Sequence, residues 1–341
     1  MKRFTGFEKG INLGGWLSQC QLEKEHLETF ITQKDFSIIK KIGADHIRLP
    51  IDYSLIETEE GNPIEDGYNY IDRCVSYCQK YGLNMILDLH RTFGYSFDKA
   101  EDCRLFWQSN EHKKRFISIW DKLADRYGKL NFIAFDLLNE IVDSSVTDIW
   151  NELALLTIER IRYYSKEVPI LVGGTKYNSI FTVKDILQPP DEKIVYSFHF
   201  YEPYIFTHQG ASWENLMKSD FRVAYPLTAK EYIDESKLYL DGQCSGIFYH
   251  MNDSLIGKDM LSALFSEAVF IAEQRNVPLY CGEYGVIDNA DPKNALAWFR
   301  DINAVFNHYG IGRAIWTYKG LNFGISDEHY STVFNEISNL L

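Results

Sequence analysis

The chain has 341 residues, 45% of them hydrophobic, which suffices for one large barrel or two ordinary domains around a sizeable core. Its net charge of −13, from 48 acidic against 35 basic residues, opposes nucleic acid and anionic membrane as partners, because both are held through Lys and Arg. A neutral substrate fits that balance.

The N-terminus, Met1-Lys2-Arg3-Phe4-Thr5-Gly6-Phe7, carries no apolar signal core, and no run approaches the ~18 apolar residues of a membrane span. The expected location is the cytoplasm, or outside the cell with a signal already removed. A strand pattern at Gly10-Ile11-Asn12-Leu13-Gly14-Gly15-Trp16 is followed by a helical one across 33–42. Further strands are expected to begin near 45, 84, 132, 169, 194, 278 and 313, making eight. Helical patterns alternate with them at 68–81, 111–127, 147–165, 181–188, 258–275 and 292–309, with a closing helix at about 329–341. Eight such alternations in one chain predict a parallel (β/α)8 barrel, a TIM barrel, as a single domain spanning 1–341. The open doubly wound sheet is disfavoured, since no Gly-x-Gly-x-x-Gly turn follows the first strand.

The sixth and seventh strand starts lie 84 residues apart, far more than the other intervals. The surplus, about 203–257, leaves the C-terminal end of a strand and should overhang the barrel mouth as an inserted subdomain. Its aromatics Tyr204, Phe206, Trp213 and Tyr225 suit a lid, a subsite wall or a packing flap. The six cysteines, at 20, 74, 78, 103, 244 and 281, have no zinc-site spacing and read as free, mostly buried thiols of a reducing compartment.

The strand at 132 is the informative one. Phe132-Ile133-Ala134-Phe135-Asp136-Leu137-Leu138 is apolar but for Asp136, as suits a strand covered on both faces, and it ends in Asn139-Glu140. Pro278-Leu279-Tyr280-Cys281-Gly282-Glu283-Tyr284-Gly285 places a second carboxylate near another strand end. With Trp16, Arg48, His90, His199, Tyr201 and Trp316 at the remaining ends, one barrel face would gather two carboxylates, an arginine, two histidines, a tyrosine and indoles. That set matches glycoside hydrolysis: one carboxyl protonates the leaving oxygen, the other meets the anomeric carbon, and aromatic faces hold the ring. His46, His112 and His308 read as packing or surface residues, and the histidines are too sparse for a hydrolytic metal site.

The chain resembles glycoside hydrolase family 5, of the clan of retaining (β/α)8 glycosidases. The likeness rests on Leu138-Asn139-Glu140, Gly282-Glu283-Tyr284-Gly285, Ile47-Arg48-Leu49-Pro50, Asp88-Leu89-His90, His199-Phe200-Tyr201 and Trp316. The opening Gly10–Trp16 motif and the long sixth-strand insertion are similar to a compact clostridial endoglucanase type. Arg91 departs from the pattern, in which a histidine or glycine often follows the His90 equivalent. The resemblance implies Glu140 as acid/base and Glu283 as nucleophile, ~5–5.5 Å apart. It further implies that Arg48 and Tyr201 orient Glu283, Asn139 bonds the sugar 2-hydroxyl, His199 lies near Glu140, His90 meets sugar hydroxyls and Trp316 floors the scissile subsite. Trp213 and Trp107 are the candidates for outer subsites. The expectation is a retaining endo-β-1,4-glucanase (cellulase), monomeric and without metal or cofactor, acting on a polysaccharide or oligosaccharide. β-Mannanase, mixed-linkage or xyloglucan-active glucanase and exo-β-1,3-glucanase are the enzymatic alternatives; a catalytically silent glycan-binding barrel is the other.

Overall fold

The computed structural model describes residues 1–341 except 99–102, 215–216, 240–246, 249–250 and 252–253. Eight strands close a barrel in chain order: β1 (Lys9–Asn12), β2 (His46–Asp52), β3 (Asn84–Arg91), β4 (Ile133–Asp136), β5 (Ile170–Gly173), β6 (Ile194–Phe200), β7 (Leu279–Tyr284) and β8 (Gly312–Ile315). Every neighbouring pair is parallel, β8 with β1 included. All residues of β2, β6 and β7 are buried, as they must be where one face fills the barrel and the other meets helices. This is a (β/α)8 TIM barrel.

The long outer helices are Gln33–Lys41, Glu65–Tyr81, Asn110–Tyr127, Thr147–Tyr164, Lys258–Arg275 and Pro292–Tyr309. Their ends are chemically marked. Gly82, at φ 62°, stops one helix in the left-handed conformation that spares glycine a Cβ clash. Asp291 starts another by accepting from the Lys293 and Asn294 amides, with Pro292 in the first turn. Two expected helices differ. The stretch at 181–188 is instead the 3-10 helix Ile180–Asp185, entered from a left-handed turn at Lys176, Tyr177 and Asn178. The closing helix shrinks to Phe334–Ser338, because Ser331, Thr332 and Val333 interrupt it with poor helix formers.

The stretch between β6 and helix Lys258–Arg275 holds the short helix Tyr204–Thr207 and the helix Ala229–Tyr239. Its first part turns toward the barrel mouth. Farther along, the Tyr225 hydroxyl donates to Asp301 on a barrel helix at 2.8 Å. Cys20, Cys74, Cys78 and Cys281 are free thiols, and Cys103 Sγ donates to the Ser96 carbonyl at 2.9 Å; Cys244 lies outside the described residues. Among the described residues no helix is long and apolar enough to cross a membrane.

Candidate active site

Strand register brings the chemistry together. Asn12 lies beside Arg48, Asp88 beside Asp136, and a register shift after Phe198 sets His199 opposite Glu283. Arg48, wholly buried, is the hub. Its Nη1 donates to Glu283 Oε1 at 2.8 Å and to Asn12 Oδ1 at 3.0 Å, its Nε to Asp136 Oδ2 at 3.0 Å, and its Nη2 to Asn139 Oδ1 at 3.1 Å. Asp88 Oδ1 also lies 3.1 Å from Nη2. One guanidinium thus faces three carboxyls. Burial pushes Asp88 and Asp136 each up to about 7 against the pull of Arg48, so both hold part of their proton near neutrality.

The two strand-end glutamates are close but differently served. One carboxyl oxygen of Glu140, one of Glu283 and a ring nitrogen of His199 all lie within 4.8 Å of one another. Glu283 has a donor on each oxygen, Arg48 on Oε1 and the Tyr201 hydroxyl on Oε2 at 2.9 Å. Among the described residues Glu140 has only the His199 ring, Nδ1 to Oε1 at 2.9 Å. Burial, and then the Glu283 charge, lift the Glu140 pKa well above the ordinary carboxylate range. Burial raises Glu283 too, but Arg48 and the Tyr201 hydrogen bond oppose it. The pair therefore carries its shared proton on Glu140. His199 is held neutral, chiefly by burial and then by Arg48, and leaves Glu140 uncompensated by positive charge.

These groups floor a cavity of about 730 Å³ at the C-terminal end of the strands, lined among others by His90, Asn139, Tyr201 and Trp316. His90 is neutral, driven by burial down to about 3, and its Nδ1 sits 2.6 Å from Asp88 Oδ2. The Trp316 ring lies parallel to it, 5.6 Å away at 4°. Two motif glycines seat that indole: a Cβ on Gly14 would come within 2.8 Å of the Trp316 ring, and one on Gly285 within 2.3 Å of its carbonyl oxygen. Trp213, 47% exposed, lines the outer wall with Tyr204, His208 and Phe323. Arg91 also lines the cavity, its guanidinium over Phe97 at 5.5 Å.

Two expected tryptophans are elsewhere. Trp16 is wholly buried, its indole N–H donating to the Leu27 carbonyl at 2.9 Å, so the polar handle that would have faced a sugar is spent on packing. Trp107 is buried edge-on against Tyr95 and Phe106 and does not reach the cavity. Conversely Asn12, Asp88 and Asp136 escaped the strand-end reading because that reading ran each strand past them, to Trp16, His90 and Asn139-Glu140. The signal was there for Asp136, a lone charge in an apolar strand, and for Asp88, two residues before His90 and so on the same face.

Among the described residues Glu140, His199 and Glu283 are also the one set close enough to share a cation. Both Glu283 oxygens already accept from Arg48 and Tyr201, which suits a charge held for carbon rather than for metal.

Residues 8–322 match the family model described as "Cellulase (glycosyl hydrolase family 5)". The chain is 40% identical over 345 residues to Endoglucanase C of Acetivibrio thermocellus, covering 99% of this chain and 98% of that protein. It is 41% identical over 314 residues to Cellodextrinase A of Ruminococcus flavefaciens, covering 92% and 86%. In fold it is similar to endoglucanase Cel5A of Thermotoga maritima, with TM-score 0.77, 22% identity and coverage of 98% and 97%. It is likewise similar to the cellulose synthase subunit Z of Clostridioides difficile, with TM-score 0.78, 24% identity and coverage of 98% and 99%.

Proposed function

From the premise that this chain belongs to the cellulase family, glycosyl hydrolase family 5, we propose that it is an endo-β-1,4-glucanase cleaving neutral glucan with retention of configuration. The observation that carries the mechanism is the asymmetry of two carboxyls, one oxygen of each lying within 4.8 Å of the other. That spacing falls with the ~5–5.5 Å of double displacement and well short of the ~6.5–9.5 Å that would admit an attacking water between them.

Glu140, protonated because burial and a neighbouring carboxylate raise its pKa, gives its proton to the glycosidic oxygen as the bond to the leaving chain breaks. Glu283, ionised against Arg48 and aimed by the Tyr201 hydroxyl, attacks the anomeric carbon and forms the covalent glycosyl-enzyme. Glu140, now a carboxylate, takes a proton from the incoming water, which releases the sugar with its original anomeric configuration. The Asn139 amide oxygen is engaged by Arg48, which turns its NH2 toward the cavity to donate to the sugar 2-hydroxyl. Trp316, backed by His90, offers its face to the ring of the scissile sugar.

An anomer-resolved NMR time course should give the β-anomer first; an α-anomer as first product overturns double displacement. A second reading, preference for short soluble cellodextrins, is supported by the similarity to Cellodextrinase A. Product profiles on cellulose, lichenan, mannan, xyloglucan and laminarin oligosaccharides of graded length separate it from the first, and from the mannan and β-1,3 alternatives.

A further inference from the structure

The backbone of Glu140 is as unusual as its side chain. Its φ of 37° lies in the left-handed region, which a residue with a Cβ occupies only when its surroundings impose it. Two neighbouring loops and one strand do so. The Tyr95 hydroxyl donates to the Glu140 carbonyl at 2.8 Å and accepts from the Val142 amide at 3.0 Å, spanning the bend with one oxygen. The Tyr177 amide donates to the Ile141 carbonyl at 3.0 Å from the left-handed turn after β5. The Asn139 amide donates to Leu89 at 3.1 Å, tying the approach to β3.

We propose that Tyr95 is a positioning residue for the acid/base. It never touches the sugar; it fixes the peptide from which Glu140 projects, and so the angle at which the carboxyl meets the glycosidic oxygen. Tyr95 is itself rigidly mounted. The tight turn Thr92-Phe93-Gly94-Tyr95 is closed by two backbone hydrogen bonds, of 3.1 and 2.9 Å, with Gly94 at φ 77°. Tyr95 is 3% exposed, its ring backed by Phe106 and Trp107, at 5.4 and 5.3 Å between centroids. This also gives Trp107 its place in the molecule, behind the brace. Among the described residues the carboxyl end of Glu140 has a single partner in His199, so its aim depends on the backbone more than does that of Glu283, which is held on both oxygens.

The inference rests on Glu140 being the acid/base, and the experiment keeps the two apart. Tyr95→Phe preserves the ring and removes both hydrogen bonds. Its kcat/KM should fall about 10- to 100-fold on phenyl β-cellobioside, whose leaving group needs the proton, through misaligned transfer. On 2,4-dinitrophenyl β-cellobioside, which needs none, the fall should stay under about threefold. Azide should then speed turnover of the activated substrate by substituting for base-assisted water. An equal fall on both substrates, or none on either, overturns the brace. Hydrogen exchange across residues 137–146 should quicken in the variant, and unchanged protection there also overturns it. Glu140→Ala runs alongside: selective loss there without selective loss in Tyr95→Phe sinks the brace alone, while an unselective Glu140→Ala sinks the acid/base reading and the brace with it.

Discussion

Each end of the barrel buries a cluster of polar and charged groups, and the two clusters are built to opposite rules. At the N-terminal end His46 has a partner on both ring nitrogens, Asp45 at 2.5 Å and the Tyr280 hydroxyl at 2.7 Å. Asp45 in turn accepts from the Glu8 and Lys9 amides, and Arg313 donates to Asn303, Glu8 and Leu340. Stacked Phe4 and Phe7 seal that end over an apolar layer. At the C-terminal end one arginine meets three carboxyls, and Asp136 Oδ1, Ser197 Oγ and His199 Nε2 have no hydrogen-bond partner. A buried polar group normally finds a partner, because leaving it without one costs about 1–3 kcal/mol. The lower cluster obeys this and holds the fold. The upper one carries surplus negative charge and unfilled hydrogen-bonding capacity, which a protonated Glu140 and an incoming sugar can use.

The largest test of that division is Glu283→Gln. The amide keeps the shape and can still meet Tyr201, but it cannot attack carbon, so release of reducing ends from carboxymethyl-cellulose should drop by about 10⁴-fold or more. Removing one of three carboxyls around Arg48 should at the same time leave the melting temperature unchanged or raise it. A protein that loses stability along with activity would place the upper cluster in the same class as the lower.

Glu140→Ala comes next. Natural glucan should be cleaved about 10²- to 10⁴-fold more slowly, while aryl glycosides with good leaving groups retain most of their kcat/KM. The raised Glu140 pKa sets the sign of the pH dependence: in the proposed mechanism Glu140 acts protonated, so activity should decline as pH rises through that pKa. The alkaline limb of the wild-type kcat/KM profile should therefore flatten in the variant on activated substrates. A limb of unchanged steepness would assign it to another group.

Tyr280→Phe probes the opposite end. It strands the His46 Nε2 in a closed interior, for a loss of about 1–3 kcal/mol in thermal or denaturant unfolding, with kcat unchanged. A fall in kcat would mean that the two clusters are coupled through the barrel.

Much of this contrast could be read from the chain, because strand ends in a parallel barrel converge whatever the loops do. Arg48, His90, Asn139, Glu140, His199, Tyr201, Glu283 and Trp316 all meet at the upper cluster. Strand alternation also located every strand within a residue or two of its observed start. What escaped was anything set by side-chain direction. Trp16 comes four residues after β1 and Trp316 immediately after β8; one indole turns under the Lys24–Thr29 helix and the other over the cavity. Residue type does not distinguish them, and where each strand ends was not sharp enough in the chain to do so. Closure of the lower end through His46 and Tyr280, 234 positions apart, was equally invisible, since pairing across such a distance depends on strand register.

The smallest expected effect tests the outermost ring of the upper end. Trp213 stands 47% exposed on the cavity wall, against His208 and Phe323 at 6.3 and 6.4 Å between centroids. An aromatic face so exposed has no core to hold together, and it costs apolar surface in water unless something covers it. A sugar beyond the scissile residue would cover it. Stacking of this kind contributes about 1 kcal/mol, so Trp213→Ala should raise KM for long cellodextrins by about fivefold. Short aryl cellobiosides that do not reach the wall should keep their kinetics, and the melting temperature should hold. If KM rises equally for short and long substrates, Trp213 acts on the scissile subsite itself. If stability falls instead, the indole belongs with Trp16, among the residues that build the barrel rather than those that use it.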